Sequence, residues 1–339
     1  MLACTPDHVE WDALIVDECH FGKNPHARRT KAVFAKGGLG WYARRIWCGS
    51  GTPAPNNLSE LWPLLRAFNK TKMDLDSFTR YFCYVDDQGK VRGNRPERIT
   101  EIRAILKEFS LRRRKKDVLP ELGPIDIQEW YVKPDARFAL ARRIPLADGE
   151  RAENQEKELR ARLAGMSDED MLIFLAGDQE FATLRRYNAL LKAPAVFDTI
   201  KFELENNLLE KVVGFGIHKE ALEVLHRAFQ QAGIPCGLIY GDTPMGQRDS
   251  IIEEWKRSGV VLLASTLVAS TAIDLTAAHQ GIMLELDWTP GNNAQAMQRM
   301  HRHGQDNPVT IRVAVGSEVD EVVSRVVLRK TKDLAEVFD

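Results

Sequence analysis

From Leu209 to the C-terminus, short apolar runs rich in Val, Ile and Leu alternate with amphipathic stretches of ten or more residues. Lys211–Ile217, Cys236–Tyr240, Val260–Ser265, Ile282–Leu286 and Val309–Val315 read as strands. Glu220–Ala232, Met245–Lys256, Asn293–Arg302 and Val319–Leu334 read as helices. Strands separated by helices of this length cannot pair as hairpins, so the pattern implies βαβ units and a parallel sheet covered on both faces. The fold class expected is therefore α/β, and the segment 208–339 forms one complete lobe.

The N-terminal part repeats the signature on a smaller scale. Trp11–Val16 is an apolar run that ends at Asp17-Glu18, the pattern of a buried parallel strand with carboxylates at its C-terminal end, where open α/β sheets bind ligands. Arg45–Cys48 reads as a second buried strand, broken by Gly49-Ser50-Gly51-Thr52-Pro53, a turn forced by Gly and Pro. Asp17 has the chemistry to hold Mg²⁺ through water, and Glu18 to orient and deprotonate an attacking water. Taken alone, the pair reads equally as an acidic loop after a strand, and His20 equally as a packed or surface imidazole.

Between these regions, Leu58, Leu61, Leu64, Leu65 and Phe68 fall on one helical stripe, and residues 84–98 have loop composition. Ile99–Phe109 is helical, and Gln128–Val132 reads as a strand. From Asp148 to Asn207 the pattern is charged and helical, broken near Gly165 and Gly177, which suggests a helical insertion.

The net charge of −1 gives no global field for nucleic acid, so any such surface must be local. Arg112-Arg113-Arg114-Lys115-Lys116 is the obvious cluster, suited to a phosphate backbone or to solvent. The five cysteines form no C-x-x-C pair, which fits a reduced compartment without structural zinc. No apolar run approaches a membrane span and no basic-then-apolar leader opens the chain, so a cytosolic protein is expected, or a nuclear one in a eukaryote.

The segment 292–305 concentrates charge differently. Gln295, Arg299 and Arg302 stand at i, i+4 and i+7, so a continuous helix would project all three from one face. Two guanidiniums on one target suit a multiply charged phosphate, although a solvated basic face gives the same spacing.

Read in order, WDALIVDECH, CGSGTP, FSLRRRKKDVLPEL, KVVGFGIHKEALEVL, IYGDTPMGQR, LLASTLVASTAIDLTAA and LDWTPGNNAQAMQRMHRHGQ closely resemble the motifs of Swi/Snf-type superfamily-two helicases, most of all the annealing-helicase subgroup and its phage or bacterial relatives. That resemblance implies RecA-like lobes, one partial (1–70) and one complete (208–339), joined by a helical insertion and linker (71–207). It also implies an ATP-dependent translocase acting on double-stranded or branched DNA, with ATP and Mg²⁺ as cofactors. On this resemblance Asp17 and Glu18 match motif II, Asp17 being the metal residue, and Gly51 and Thr52 match motif III. Gln295, Arg299 and Arg302 match motif VI, whose arginines stabilise charge on the transferred phosphoryl group. His20, Gly51, Thr52, Gln295 and Asp274 are the nucleotide-side positions it implies. Arg112, Arg113, Arg114, Lys115 and, in motif V, Thr266 are the implied DNA contacts.

Two departures stand out. Leu267–Ala272 lacks the glycines and arginine usual in motif V, which weakens the case for close backbone approach to DNA. More consequentially, no G-x-x-x-x-G-K-[ST] occurs: Lys23 and Lys90 follow glycine but precede Asn24 and Val91. Only 16 residues precede Asp17, fewer than the roughly 30 of one βαβ unit. The expectation is the C-terminal portion of a longer translocase, from a split or truncated gene or an internal start, inactive until a P-loop lobe is supplied, conceivably by a separate chain. The competing expectation is a non-catalytic DNA- or partner-binding remnant.

Overall fold

The computed structural model describes residues 10–51, 53–54, 56–113, 115–119, 121–138, 158, 161–162, 165–166, 179–270, 273–317 and 320–328. Contacts divide the chain into two units between Arg112 and Arg113.

In the first unit, β1 (Leu14–Val16) lies parallel to β2 (Ile46–Cys48), with Val16 opposite Cys48. Helix α1 (Arg28–Phe34) lies in the connection between them. The strands were expected to be buried, yet Ile15 is 71% exposed and Trp47, its register partner, 63%. A parallel strand is buried on both faces only when layers cover both, and a two-stranded sheet has alternate residues that no layer reaches.

A separate apolar cluster organises the rest of this unit. Helices α2 (Trp62–Ala67), α3 (Leu75–Phe82) and α4 (Ile99–Lys107) contribute Leu65, Phe78, Phe82 and Ile102, packed with Ala54, Leu58, Leu61 and Cys83. Asp74 caps α3, its carboxylate accepting from the Ser77 amide at 2.9 Å. The antiparallel hairpin β3 (Cys83–Val85) and β4 (Val91–Asn94) separates α3 from α4.

The second unit is built on a six-stranded, wholly parallel sheet. Its strands are β5 (Ile125–Tyr131), β6 (Val212–Gly216), β7 (Cys236–Ile239), β8 (Val261–Ser265), β9 (Gln280–Met283) and β10 (Val309–Val315), in the order β5-β10-β9-β6-β8-β7. Between them come α6 (Gln179–Glu205), α7 (Lys219–Gln231), α8 (Met245–Ser258), the single turn α9 (Thr266–Ala269) and α10 (Pro290–Gln298), α5 being the short Lys115–Val118 turn. Apolar clusters cover both faces of the sheet, and every residue of β6 is buried. This is the expected α/β lobe.

Two boundaries differ from the sequence reading. The strand expected at Gln128–Val132 runs from Ile125 and is the edge of this sheet, paired residue for residue with β10, so the segment before it belongs with the second unit. Of the expected helical insertion, α6 is the described part; its Ala189, Leu190, Ala193, Val196 and Ile200 pack in the same cluster as Leu222, Leu225 and Phe229 of α7. The expected closing helix is described over 320–328. No described helix is long and apolar enough to cross a membrane.

Strand order reverses about β6. The chain leaves it for β7 and β8 on one side, then crosses to β9 on the other. A crevice forms at the carboxyl ends of strands where such a reversal occurs, and this is where open α/β sheets place ligands or the groups that replace them.

Candidate functional site

The first unit gathers the acidic residues and the glycine loop. Asp17 leaves β1 exposed, with Oδ1 accepting from the Glu18 amide at 2.9 Å. Glu18 sits in the left-handed region, φ 48° and ψ 48°, a conformation uncommon for a residue with Cβ and one that turns the chain sharply after the strand. The turn brings the Cys19 amide to the Gly49 carbonyl at 2.9 Å, while the Gly49 amide donates to Val16 at 2.9 Å. Motif II and the start of motif III are thereby tied through backbone.

His20 completes the link through side chains. It is buried, and its Nδ1 lies 3.0 Å from Ser50 Oγ and 3.1 Å from Glu18 Oε2. Burial pushes its pKa below the ordinary histidine value, and the neighbouring Glu18 carboxylate only partly opposes this. A neutral imidazole can accept from the Ser50 hydroxyl or donate to Glu18, but not both through one nitrogen. Gly51 is exposed with open space where a Cβ would stand, and Thr52 lies outside the described residues.

Among the described residues no group of three or more His, Cys, Asp or Glu could enclose a metal. The exposed Asp17 carboxylate has the hard-oxygen chemistry that Mg²⁺ takes from one or two protein carboxylates beside water and substrate phosphates.

The second unit carries the arginine segment, and here the structure corrects the sequence. Helix α10 stops at Gln298, so Arg299 is its cap and Arg302 lies beyond it. The three expected side chains therefore do not line one helical face. Arg299 is half-buried and donates from Nη2 to the Ser270 carbonyl at 2.7 Å, while its own carbonyl accepts from Leu275 at 3.1 Å. Arg302 is exposed and Gln295 half-buried. What ends the helix is the turn at Gly304, φ 92°, together with Gln305, whose buried Nε2 lies 2.9–3.2 Å from the carbonyls of Thr276, Ala278 and Met300.

Of the two residues expected in motif V, Thr266 is turned inward and the Asp274 side chain is part-exposed. Thr266, 1% exposed, donates from Oγ1 to the Gly216 carbonyl at 3.3 Å. Its expected DNA contact is not offered by this conformation, because the buried hydroxyl ties the start of α9 to the end of β6. Asp274 accepts from Lys256 Nζ at 3.1 Å and from Thr276 through its amide and hydroxyl. Partial burial raises the Asp274 carboxyl, but the Lys256 and Thr276 contacts outweigh it and hold the carboxyl below the usual range. Of the basic run, Arg112 and Arg113 are exposed; Arg114 and the side chain of Lys115 lie outside the described residues.

A cluster that sequence reasoning missed occupies the reversal point of the sheet. Glu285, just past β9, accepts from the amides of Ile217 and His218 at 3.1 and 3.0 Å, and its other oxygen lies 2.6 Å from His218 Nδ1. Complete burial by itself raises this carboxyl. The His218 hydrogen bond, with the charges of His218 and Arg185, outweighs burial and brings the pKa down to about 2. Arg185, buried on α6, donates to the Leu286 carbonyl and stacks 4.4 Å from the Trp288 ring. Asn293 of α10 then bonds both the amide and the carbonyl of Asp287, at 2.7 and 2.8 Å. The available signal was a lone charge inside the apolar run Ile282–Leu286, which calls for a buried partner.

Residues 4–137 match the SNF2-related domain and residues 195–304 the helicase conserved C-terminal domain. The chain is 28% identical over 331 residues to the Drosophila melanogaster SWI/SNF-related matrix-associated actin-dependent regulator of chromatin subfamily A-like protein 1, covering 96% of this chain and 41% of that one. It is 27% identical over 312 residues to the Mus musculus DNA annealing helicase and endonuclease ZRANB3, covering 90% and 28%. Among solved structures it is similar to the Sulfolobus solfataricus SWI2/SNF2 ATPase core in complex with dsDNA, with a TM-score of 0.44, 19% identity, and coverage of 99% of this chain and 70% of that one. The chain spans 20% to 41% of the length of the curated relatives it matches. The chain therefore carries an SNF2-related domain followed by a helicase conserved C-terminal domain.

Proposed function

We propose that the chain supplies the acidic residues and the arginines of an ATP-dependent motor that moves on double-stranded DNA. The observation that carries this reading is the joined turn at the end of β1, where Glu18 is held left-handed and His20 stands between Glu18 and Ser50. An acidic pair fixed to a Gly-Ser-Gly loop can report hydrolysis to the rest of its unit, which an acidic surface loop has no means to do. Asp17 would hold Mg²⁺ through water, and Glu18 would orient the attacking water and take its proton. Arg302, exposed, would meet developing charge on the phosphoryl group, with Arg299 and Gln295 beside it in sequence. Asp274 would support that segment rather than touch nucleotide, because Lys256 and Thr276 engage its carboxylate. Arg112 and Arg113 would follow the phosphate backbone with little sequence preference.

The names of two relatives support the ATP and DNA parts of this reading, a DNA annealing helicase and endonuclease and a probable ATP-dependent DNA helicase of Arabidopsis thaliana. No G-x-x-x-x-G-K-[ST] stands in these 339 residues, so the triphosphate cradle has to be provided in addition, by a P-loop lobe in the same protein or in a separate chain. The same observation favours a second reading, a non-catalytic DNA- or partner-binding remnant.

ATP hydrolysis by the purified chain separates them, measured with and without duplex DNA and with and without an added P-loop lobe. The motor reading expects turnover that needs the added lobe, rises with DNA, and is lost in Glu18→Gln and Arg302→Ala. Silence under every condition, with DNA binding retained, supports the remnant. Turnover by the chain alone would overturn the requirement for a P-loop.

A further inference from the structure

We propose that Cys19 and Cys48 are an oxidation-sensitive dithiol, closed to a reversible intrachain disulfide by hydrogen peroxide. The left-handed turn at Glu18 folds the residue after the acidic pair back against the end of β2. Cys48 is the last residue of that strand, in register with Val16. The bonds Gly49 N to Val16 O and Cys19 N to Gly49 O, each 2.9 Å, hold the two backbones on either side of the thiols. With Cys48 the residue before Gly49 and opposite Val16, these bonds set Cys19 and Cys48 side by side, close enough for each thiol to act on the other. Cys19 is buried and Cys48 half-buried, so a small oxidant reaches the pair from the Cys48 side.

The described chain contains its own controls. Cys83 is fully buried in the apolar cluster of the first unit, with Sγ 3.8 Å from Asn94 Oδ1. Cys236 packs against the apolar core of the second unit, with Sγ 3.6 Å from the Gly237 carbonyl. Neither has a second thiol beside it among the described residues. Each can be oxidised only singly or by pairing between molecules, whereas a sulfenic acid on Cys19 or Cys48 has a resolving thiol beside it.

The chemistry is balanced with peroxide as the oxidant. One sulfur attacks the O–O bond and becomes a sulfenic acid, and the departing oxygen leaves as water with the thiol proton. The second sulfur then displaces the sulfenic oxygen, which takes the remaining thiol proton and leaves as a second water. Two thiols and one peroxide give one disulfide and two waters, and a dithiol reductant reverses the change. The bond would clamp the turn carrying Asp17 and Glu18 to the Gly49-Ser50-Gly51 loop. Any effect on hydrolysis rests on the function proposed above, whereas formation of the bond does not.

The test treats the full chain with graded peroxide, traps remaining thiols with N-ethylmaleimide, and maps proteolytic peptides by mass spectrometry without reduction. The expected result is a fall in free thiols from five to three, with a linked peptide containing Cys19 and Cys48 that forms about tenfold or more faster than Cys83 or Cys236 is consumed and disappears on reduction. Cys48→Ser should abolish the linked peptide and stop the paired loss. Because the wild-type map needs no variant, poor folding of Cys48→Ser leaves the test intact. A link from either residue to Cys4, equal consumption of Cys83 and Cys236, or conversion of Cys19 to sulfinic acid without a link would each overturn the proposal.

Discussion

Replacing Glu285 by Gln keeps the side chain's shape and removes its charge, so it measures what that charge contributes. The folded carboxyl titrates at about 2 against an ordinary value of 4.5. A depression of that size corresponds to about 3 kcal/mol of stability. Because the folded pKa is depressed, this stability is fully present above about pH 4.5 and is lost as pH falls toward 2. The chain has two units, so global unfolding is a poor gauge, and the amides of Ile217 and His218 that donate to Glu285 are the local one. Hydrogen exchange at these two positions should be faster in the variant by a few hundredfold at pH 7, shrinking to about tenfold at pH 3. Comparing variant with wild type at each pH cancels the intrinsic exchange rate. A ratio that stays the same at pH 7 and pH 3 would refute the electrostatic account and leave only a packing effect.

Phe78→Ala should cost about 3–5 kcal/mol in the first unit, since its ring is buried against Phe82 at a centroid distance of 4.6 Å; urea unfolding followed by exchange in α3 and α4 reports it. Gly281→Ala puts a Cβ 2.5 Å from Ile311 Cδ1 and 3.0 Å from Met300 Sδ, so it should destabilise the second unit by about 1–3 kcal/mol, while the same change at Gly246, where a Cβ meets nothing, should be silent in thermal unfolding. Asn293→Ala leaves the Asp287 amide and carbonyl without their side-chain partner and should cost about 1–3 kcal/mol, with the Asp287 amide losing its exchange protection.

The parallel lobe was legible because its strands announce themselves locally. Val212–Gly216 is apolar throughout and Val261–Ser265 is apolar up to its last residue, as strands buried on both faces must be, and the helices between them are long enough to cross over. The pairing was not legible. Ile125–Tyr131 lies beside Val309–Val315 across some 180 residues, and nothing in either run names the other. At the site, the order of the acidic and arginine motifs could be read, but the end of α10 could not, since Arg299 to Arg302 continue helical spacing. It is Gln305, bonding carbonyls on the far side of the turn, that bends the chain there. Thr266, expected to contact DNA, likewise could not be placed until β8 is set beside β6, where its partner is the Gly216 carbonyl.

The missed cluster changes how the arginine segment is understood. Three consecutive residues after β9 are each held by a different element: Glu285 by the amides at the start of α7, Leu286 by Arg185 of α6, and Asp287 by Asn293 of α10 itself. The loop that delivers α10 is thus fixed at every residue before Trp288, and Trp288 is stacked under Arg185. Arg185 comes from farthest away in sequence, and burial lowers its guanidinium pKa against the pull of Glu285 and Asp287. Helix α6 therefore helps to fix the loop that delivers α10. Its identity at residue 185 is constrained by charge and planarity, which lysine supplies only in part.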